Sequence, residues 1–410
     1  MKYICLYFQV HQPRRLRQYQ VLDISRNHQY FDDEQNRAII QRVAEKCYLP
    51  TNQLLLELIK KFDGRFRLAF SISGITLEQF EWWKGEVIDS FKRLINTGAV
   101  EILAETYYHS LSSVYSPEEF KQQVELELKK LKEIFGVQPK VFRNTELIYS
   151  DQLAELVDGF GFYAVLTEGI EWLVGKEGAG KVYRARSNPS IKILLRHCPL
   201  SDDIAFRFSS PDWEEFPLTA EKYARWIRDS SLRLINIFID YETFGEHQWR
   251  EAGIFDFLSQ LPKFILEDKE IEFITPSQAV EMIDALDEFS SPGWMSWADT
   301  EKDLSAWLGN DLQRNAMDKL YELERLVKAS GDDKLIKDWR YLGTSDHFYY
   351  MSTKWGSDLS VHKYFNPHQS PYYAYIIYMR ILNDLLEQAL ARLGKKLMSR
   401  KELKTIFERW

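Results

Sequence analysis

Along the first 285 residues or so, short β-branched and aromatic runs alternate with longer stretches of helical periodicity, and this alternation points to a parallel α/β architecture. The reason is geometric: parallel neighbours cannot be joined by a tight turn, and each needs a crossover long enough to hold a helix. Strand candidates lie at 3–10, 65–73 ("RFRLAFSIS"), 100–105 ("VEILAE"), 140–144 ("KVFRN"), 162–167 ("FYAVLT"), 232–239 and 270–275 ("EIEFIT"). "IKILLR" (191–196) and "IAFRFS" (204–209) read as further strands. An amphipathic stretch runs from Thr76 to a stop at Gly98, and Ser116, Pro117 and Glu119 open a helix that ends at Gly136.

Seven or so parallel strands with helices between them suggest a closed or nearly closed (β/α) barrel, with an open doubly wound sheet as the alternative. No GxGxxG follows the first strand, where an open dinucleotide-binding sheet would place its phosphate loop, so the barrel is preferred. The chain has 410 residues, and a barrel of roughly 250 leaves a sizeable remainder. After a loop at "DEFSSPGW" (287–294) the pattern is helical, with a long apolar face over 373–393. The expected organisation is a barrel over 1–290 and an α-helical C-terminal domain over 291–410.

A net charge of -8 and no basic block argue against a nucleic-acid partner. Three scattered cysteines offer neither a disulfide framework nor a CxxC metal site, which fits a reducing cytoplasm. The N-terminal "YICLYFQV" reads as a strand rather than a signal peptide, and no run approaches the roughly 18 apolar residues of a membrane span. A soluble cytoplasmic protein is expected.

Polar groups gather at the ends of the strand candidates. "INIFIDYETFGEHQW" (235–249) passes from an apolar run directly into Asp240 and Glu242, then His247 and Trp249. His11 and Gln12 follow the first strand, Glu101 and Glu105 lie in the third, and Glu146 follows the fourth. All strand C-termini of a parallel barrel open on one face, so residues 11, 101, 146 and 240 converge there. Each alone has a bland alternative, a carboxylate facing water. Glu146 and Asp240 are a sufficient pair for glycoside hydrolysis. A zinc hydrolase is the competing chemistry, yet none of the eight histidines is three or four residues from another, so HExxH and HxxxH are absent. His11 then reads as a donor to a substrate hydroxyl or as a packed core imidazole. No GxSxG supports a nucleophilic serine. "TSDHFYYMSTKW" (344–355), containing Asp346 and His347, reads either as an interdomain contact or as a lining of the substrate groove.

"HQP" (11–13), "GAVEIL" (98–103), "RNTELIYS" (143–150), "DYETFGEHQW" (240–249) and "TPSQAVE" (275–281) together resemble the five ordered motif regions of glycoside hydrolase family 57, the α-amylase and 4-α-glucanotransferase family. The resemblance implies a (β/α)7 barrel, an incomplete TIM-like fold with a helical C-terminal region. It also implies an α-1,4-glucan or maltooligosaccharide substrate and a retaining mechanism with no metal or cofactor. Carried over by position, Glu146 matches the nucleophile and Asp240 the acid/base. His11 and Glu101 match groups that hold the sugar, and Trp249 would be an aromatic wall. Arg143 and His247 stand where several members have tryptophan. Gln12, Arg143, Glu242, His247, Asp346 and His347 complete the expected binding set. The implied activity is α-amylase-type hydrolysis. A 4-α-glucanotransferase would use the same pair with a sugar hydroxyl as acceptor, a silent glucan-binding protein would keep the groove without the chemistry, and a deacetylase of similar barrel shape would need a metal.

Overall fold

The computed structural model describes residues 1–354, 366–368 and 370–394. Its strands are β1 (Lys2–Val10), β2 (Leu68–Ile72), β3 (Val100–Leu103), β4 (Val141–Arg143), β5 (Ala164–Glu168), β6 (Val182–Ala185), β7 (Lys192–Arg196), β8 (Leu234–Asp240), β9 (Ile271–Phe273) and β10 (Asp287–Phe289).

Seven of these run parallel in the order β1-β2-β3-β4-β5-β7-β8, with β8 returning to β1. Continuous ladders join most neighbours, and two seams are stitched by isolated bonds. At the first, Ala104 N–H donates to the Val141 carbonyl and Arg143 N–H to the Ala104 carbonyl. At the second, His197 N–H donates to the Asn236 carbonyl and Asn236 Nδ2 to the Leu195 carbonyl at 2.8 Å. This is the expected seven-stranded barrel. β9 pairs with the first residues of β1, and β6 lies antiparallel on β7 with β10 beyond it.

The pleat divides these strands cleanly. Ile4, Leu6, Phe8 and Val10 pack outward with Phe70, Ile102, Ile237 and the helices, whereas Tyr3, Cys5 and Tyr7 belong to the interior with Ala69, Leu103, Val141, Leu166, Leu194 and Phe238. Alternation then assigns Gln9, Ser71, Glu101, Glu105, Arg143, Glu168, Arg196 and Asp240 to the interior side as well. Apolar residues make up most of the lower interior layers, with Glu101 among them level with Ala69 and Tyr7, and polar residues gather toward the upper end.

The chain folds as two compact units. The first comprises 1–12, 37–107 and 121–297, and the second 13–36, 108–120 and 298–410. Within the second, the 24-residue helix Pro371–Gly394 buries Asp384, whose carboxylate receives the Tyr30 hydroxyl, His28 Nδ1 at 2.8 Å and Gln388 Nε2 at 3.2 Å. The helical C-terminal region is thus as expected over its described part; 395–410 lie outside it, as does Trp355 of the 344–355 cluster.

Three readings of local structure need correction. "IAFRFS" is not a strand: Asp203–Arg207 is a helical turn of the π type. Ile204 and Phe208 are buried while Phe206 is 64 % exposed, a period near four rather than two, and Arg207 pairs with Asp203 at 2.7 Å across that turn. The helix from Thr76 is two helices, Gly74–Trp83 and Gly85–Ile95, broken at Lys84. Residues 287–289, read as loop, form the short strand β10 on β6.

Candidate active site

β1 leads into His11, whose Nδ1 lies 2.8 Å from Ser73 Oγ at the end of β2. Ser73 Oγ in turn contacts Thr76 Oγ1, which accepts the Gln12 N–H at 2.8 Å. The imidazole is therefore oriented by the neighbouring strand. One layer below, the Tyr7 hydroxyl lies 2.6 Å from Ser71 Oγ, which donates to Glu105 Oε1 at 2.7 Å. Burial, foremost, holds the Tyr7 hydroxyl well above the usual phenol range, against the opposing charge of Arg143.

Glu146 follows β4 on a segment with unusual backbone. Glu146 and Leu147 both adopt left-handed conformations, φ 56° and 50°, which cost non-glycine residues on the order of 1–3 kcal/mol each. Strain of this kind persists only where surroundings impose it. Thr145 Oγ1 lies 2.6 Å from Thr106 Oγ1, Asn144 Nδ2 donates to the Ile148 carbonyl at 3.0 Å, and Thr167 Oγ1 to the Leu147 carbonyl at 3.1 Å. Tyr149 and Met295 exchange two backbone bonds of 2.9 Å, and Trp297 N–H donates to the Glu146 carbonyl at 3.2 Å. The indole Nε1 of Trp297 then donates to Glu146 Oε2 at 2.6 Å. The segment 295–297 is a clamp on the carboxylate. Trp297 was missed in the sequence because it sits in an irregular stretch 151 residues away, with no periodicity to mark it.

Asp240 closes β8 in register with Gln9 of β1 and is the least buried residue of its strand. Beyond it the chain turns inward. Glu242, 5 % exposed, accepts a short hydrogen bond from Tyr48, and its pKa is pushed up to about 8, first by burial and then by the charge of Asp240. Gln12 bonds to the same carboxyl, so the structure brings Gln12 and Glu242 together around Tyr48. Burial also lowers the pKa of His247 to about 4. Trp249, by contrast, is 65 % exposed.

Glu101 and Glu105 occupy different layers. Glu101 is level with Ala69 and Tyr7, below the layer of Gln9 and Asp240, and its carboxylate takes the Ser277 hydroxyl and the Ser277 N–H at 3.0 Å. Glu105 lies four residues further on, past the end of β3, and is fully buried. Strand parity was the signal for it: residues 101, 103 and 105 share one face. On the far wall, Arg196 of β7 pairs with Glu168 of β5 at 3.0 Å and with Asp202, and donates to the Phe238 carbonyl at 2.8 Å. Arg143 is fully buried with its guanidinium carbon 4.9 Å from the Trp297 ring centre.

Asp346 and His347 belong to the second unit, on the helix Ser345–Tyr349. His347 is buried against Tyr350 and Tyr378, and burial lowers its pKa to about 4. Among the described residues, no group of three or more His, Cys, Asp and Glu side chains is arranged to hold a metal ion, and no helix is long and apolar enough to cross a membrane.

The model of the family described as "Glycosyl hydrolase family 57" matches residues 5–293. A protein of Methanocaldococcus jannaschii named "Putative alpha-amylase" is 44 % identical over 396 residues, covering 92 % of this chain and 82 % of its own length. Among solved structures, a branching enzyme of Pyrococcus horikoshii is similar with a TM-score of 0.69 at 15 % identity, over 100 % of this chain and 94 % of that one. A 4-alpha-glucanotransferase of Thermococcus litoralis is similar with a TM-score of 0.64 at 15 % identity, over 85 % of this chain; the match spans 56 % of that chain, little more than half its length.

Proposed function

We propose that this chain, which belongs to glycosyl hydrolase family 57, cleaves α-1,4-glucosidic bonds in α-glucans with retention of anomeric configuration. Glu146 attacks the anomeric carbon while Asp240 gives its proton to the departing glycosidic oxygen. Asp240 then takes a proton from water, whose oxygen displaces Glu146 from the glycosyl ester and restores both groups. The observation that carries this reading is the presentation of Glu146. A strained backbone, pinned by Thr106, Thr167, Met295 and Trp297, holds its carboxylate with one oxygen on an indole N–H. Such pre-organisation is what a carboxylate needs to attack in line.

The surrounding groups fit a sugar. His11 is oriented by Ser73, and the exposed indole of Trp249 offers a stacking face a short way beyond Asp240 in the chain. The 44 % identical relative bears an amylase name, which supports hydrolysis as the activity. The test is incubation with maltooligosaccharides of defined length, following products and their anomers over time. Shorter products alone, released first as α-anomers, are expected. The appearance of chains longer than the substrate would instead make a sugar hydroxyl the preferred acceptor, and release of β-anomers would remove the retaining mechanism.

A further inference from the structure

Two arginines lie against the indole of Trp297, and among the described residues only one of them finds hydrogen-bond acceptors. Arg196, 5.6 Å from the ring centre, has its nitrogens committed to Glu168, Asp202 and the Phe238 carbonyl. Arg143, 4.9 Å from the same ring, is equally buried, yet Nε, Nη1 and Nη2 have no hydrogen-bond partner among the described residues. Buried donors are almost always satisfied, and a desolvated guanidinium without an acceptor is costly. An uncommitted fork of this kind, three residues from Glu146, indicates that acceptors arrive with the substrate.

The surrounding charge says what kind of acceptor fits. The carboxylates of Glu105 and Asp240 act with Arg143 on the Tyr7 hydroxyl, and Glu146 hangs from Trp297. Around Tyr7 and Trp297 the carboxyl groups of Glu105, Asp240 and Glu146 thus outnumber the one uncommitted cation. An anionic sugar would enter an excess of negative charge, whereas a neutral polyol brings oxygens without charge. Within an α-1,4-linked ring, O1 and O4 are in the linkages and O6 is exocyclic, so O2 and O3 are the free vicinal pair. The parallel N–H groups of a guanidinium suit two such neighbouring oxygens, which a tryptophan at this position could not engage.

We propose that Arg143 is a specificity-determining residue that donates in bidentate fashion to O2 and O3 of the sugar ring attacked by Glu146. This rests on the glycosidase reading above. It requires that the ring bound beside Glu146 carry both hydroxyls free.

The test combines the wild type, Arg143→Gln and Arg143→Lys with an aryl maltotrioside and its 2-deoxy and 3-deoxy counterparts, modified on the ring at which cleavage occurs. Deleting O3 is expected to lower kcat/KM of the wild type about 10- to 100-fold, the range for a hydrogen bond to a charged group. Arg143→Gln should lose a similar factor on the intact substrate and nothing further when O3 is removed, and the 2-deoxy series should show the same coupling. Arg143→Lys, which keeps the charge without the fork, should lose most of that factor too. Losses that simply multiply, or a wild type indifferent to both deletions, would overturn the proposal and leave Arg143 as a counter-charge. The deoxy series on the wild type decides even if a variant fails to fold. No turnover of the intact maltotrioside removes the glucan reading and the inference with it; turnover without coupling removes the inference alone.

Discussion

The indole nitrogen of Trp297 stands 2.6 Å from Oε2 of Glu146, while the backbone N–H of the same residue donates to the Glu146 carbonyl at 3.2 Å. One tryptophan therefore fixes both the backbone and the carboxylate of the proposed nucleophile. A donor on a carboxylate favours its ionised form. Trp297→Phe keeps much of the ring and removes the side-chain donor, so kcat/KM should fall about 10- to 100-fold and the acidic limb of its pH profile should move to higher pH. A variant with reduced rate and an unmoved limb would mean that the indole only fills space.

Glu146→Gln should reduce turnover at least about 1000-fold while the melting temperature stays near that of the wild type, since an amide keeps the shape but cannot form the ester. Asp240→Asn should be comparably slow on maltooligosaccharides. Its rate should recover in part on an aryl glycoside whose leaving group needs no protonation, whereas Glu146→Gln should not recover. Equal behaviour of the two variants on both substrates would contradict the division of roles.

Glu242 should make the protein less stable as pH rises. Its folded pKa of about 8 lies above its ordinary 4.5, so the folded state binds the extra proton, and that advantage, full below about 4.5, is lost as pH rises through 8. Glu242→Gln removes the titration. Calorimetric melting from pH 5 to 9 should show a smaller decline for the variant than for the wild type, and parallel curves would show that Glu242 is not the group concerned.

The histidines act in the opposite direction. His247, His347 and His368 have folded values near 4, below the ordinary 6.5, each by burial first. Unfolding lets them take protons, so their contribution is present above 6.5 and is lost as pH falls toward 4. The melting temperature should drop steeply between pH 6.5 and 4.5, and replacing His247 and His347 with asparagine should flatten that slope.

Prolonged EDTA treatment should leave glucan cleavage unchanged, because the proposed chemistry runs on two carboxyl groups. Activity that vanished on chelation and returned only with added zinc would revive a metal-assisted hydrolysis.

Much of this arrangement was legible from the chain. The apolar run ending at Asp240, the strand before Glu146 and the placing of His11 after β1 all follow from strand length and turn position. Glu105 was readable as well, since counting by twos along "VEILAE" puts it on the face of Glu101. Other features depend on partners distant in sequence. β10 carries two exposed acidic residues and exists through its pairing with β6, so its three residues have no strand pattern of their own. The helical turn at 203–207 was misread because alternate apolar residues look the same until it is known that Phe206 faces outward. Trp297 acquires its part through Tyr149, Met295 and Glu146, partners that no local pattern announces.

The two-residue pleat imposes something like a reading frame on the barrel. Arg143 and Phe142 are adjacent, as are Asp240 and Ile239; Ile239 packs on the outer side, Val141 on the inner, and alternation turns Arg143 and Asp240 toward the interior and Phe142 away from it. Inserting or deleting a single residue early in β4 or β8 would exchange the members, sending a charge into the aliphatic layer and an aromatic or aliphatic group into the cleft. Length variation among relatives should therefore collect in the segments between strands, and inside these strands it should come in pairs or not at all.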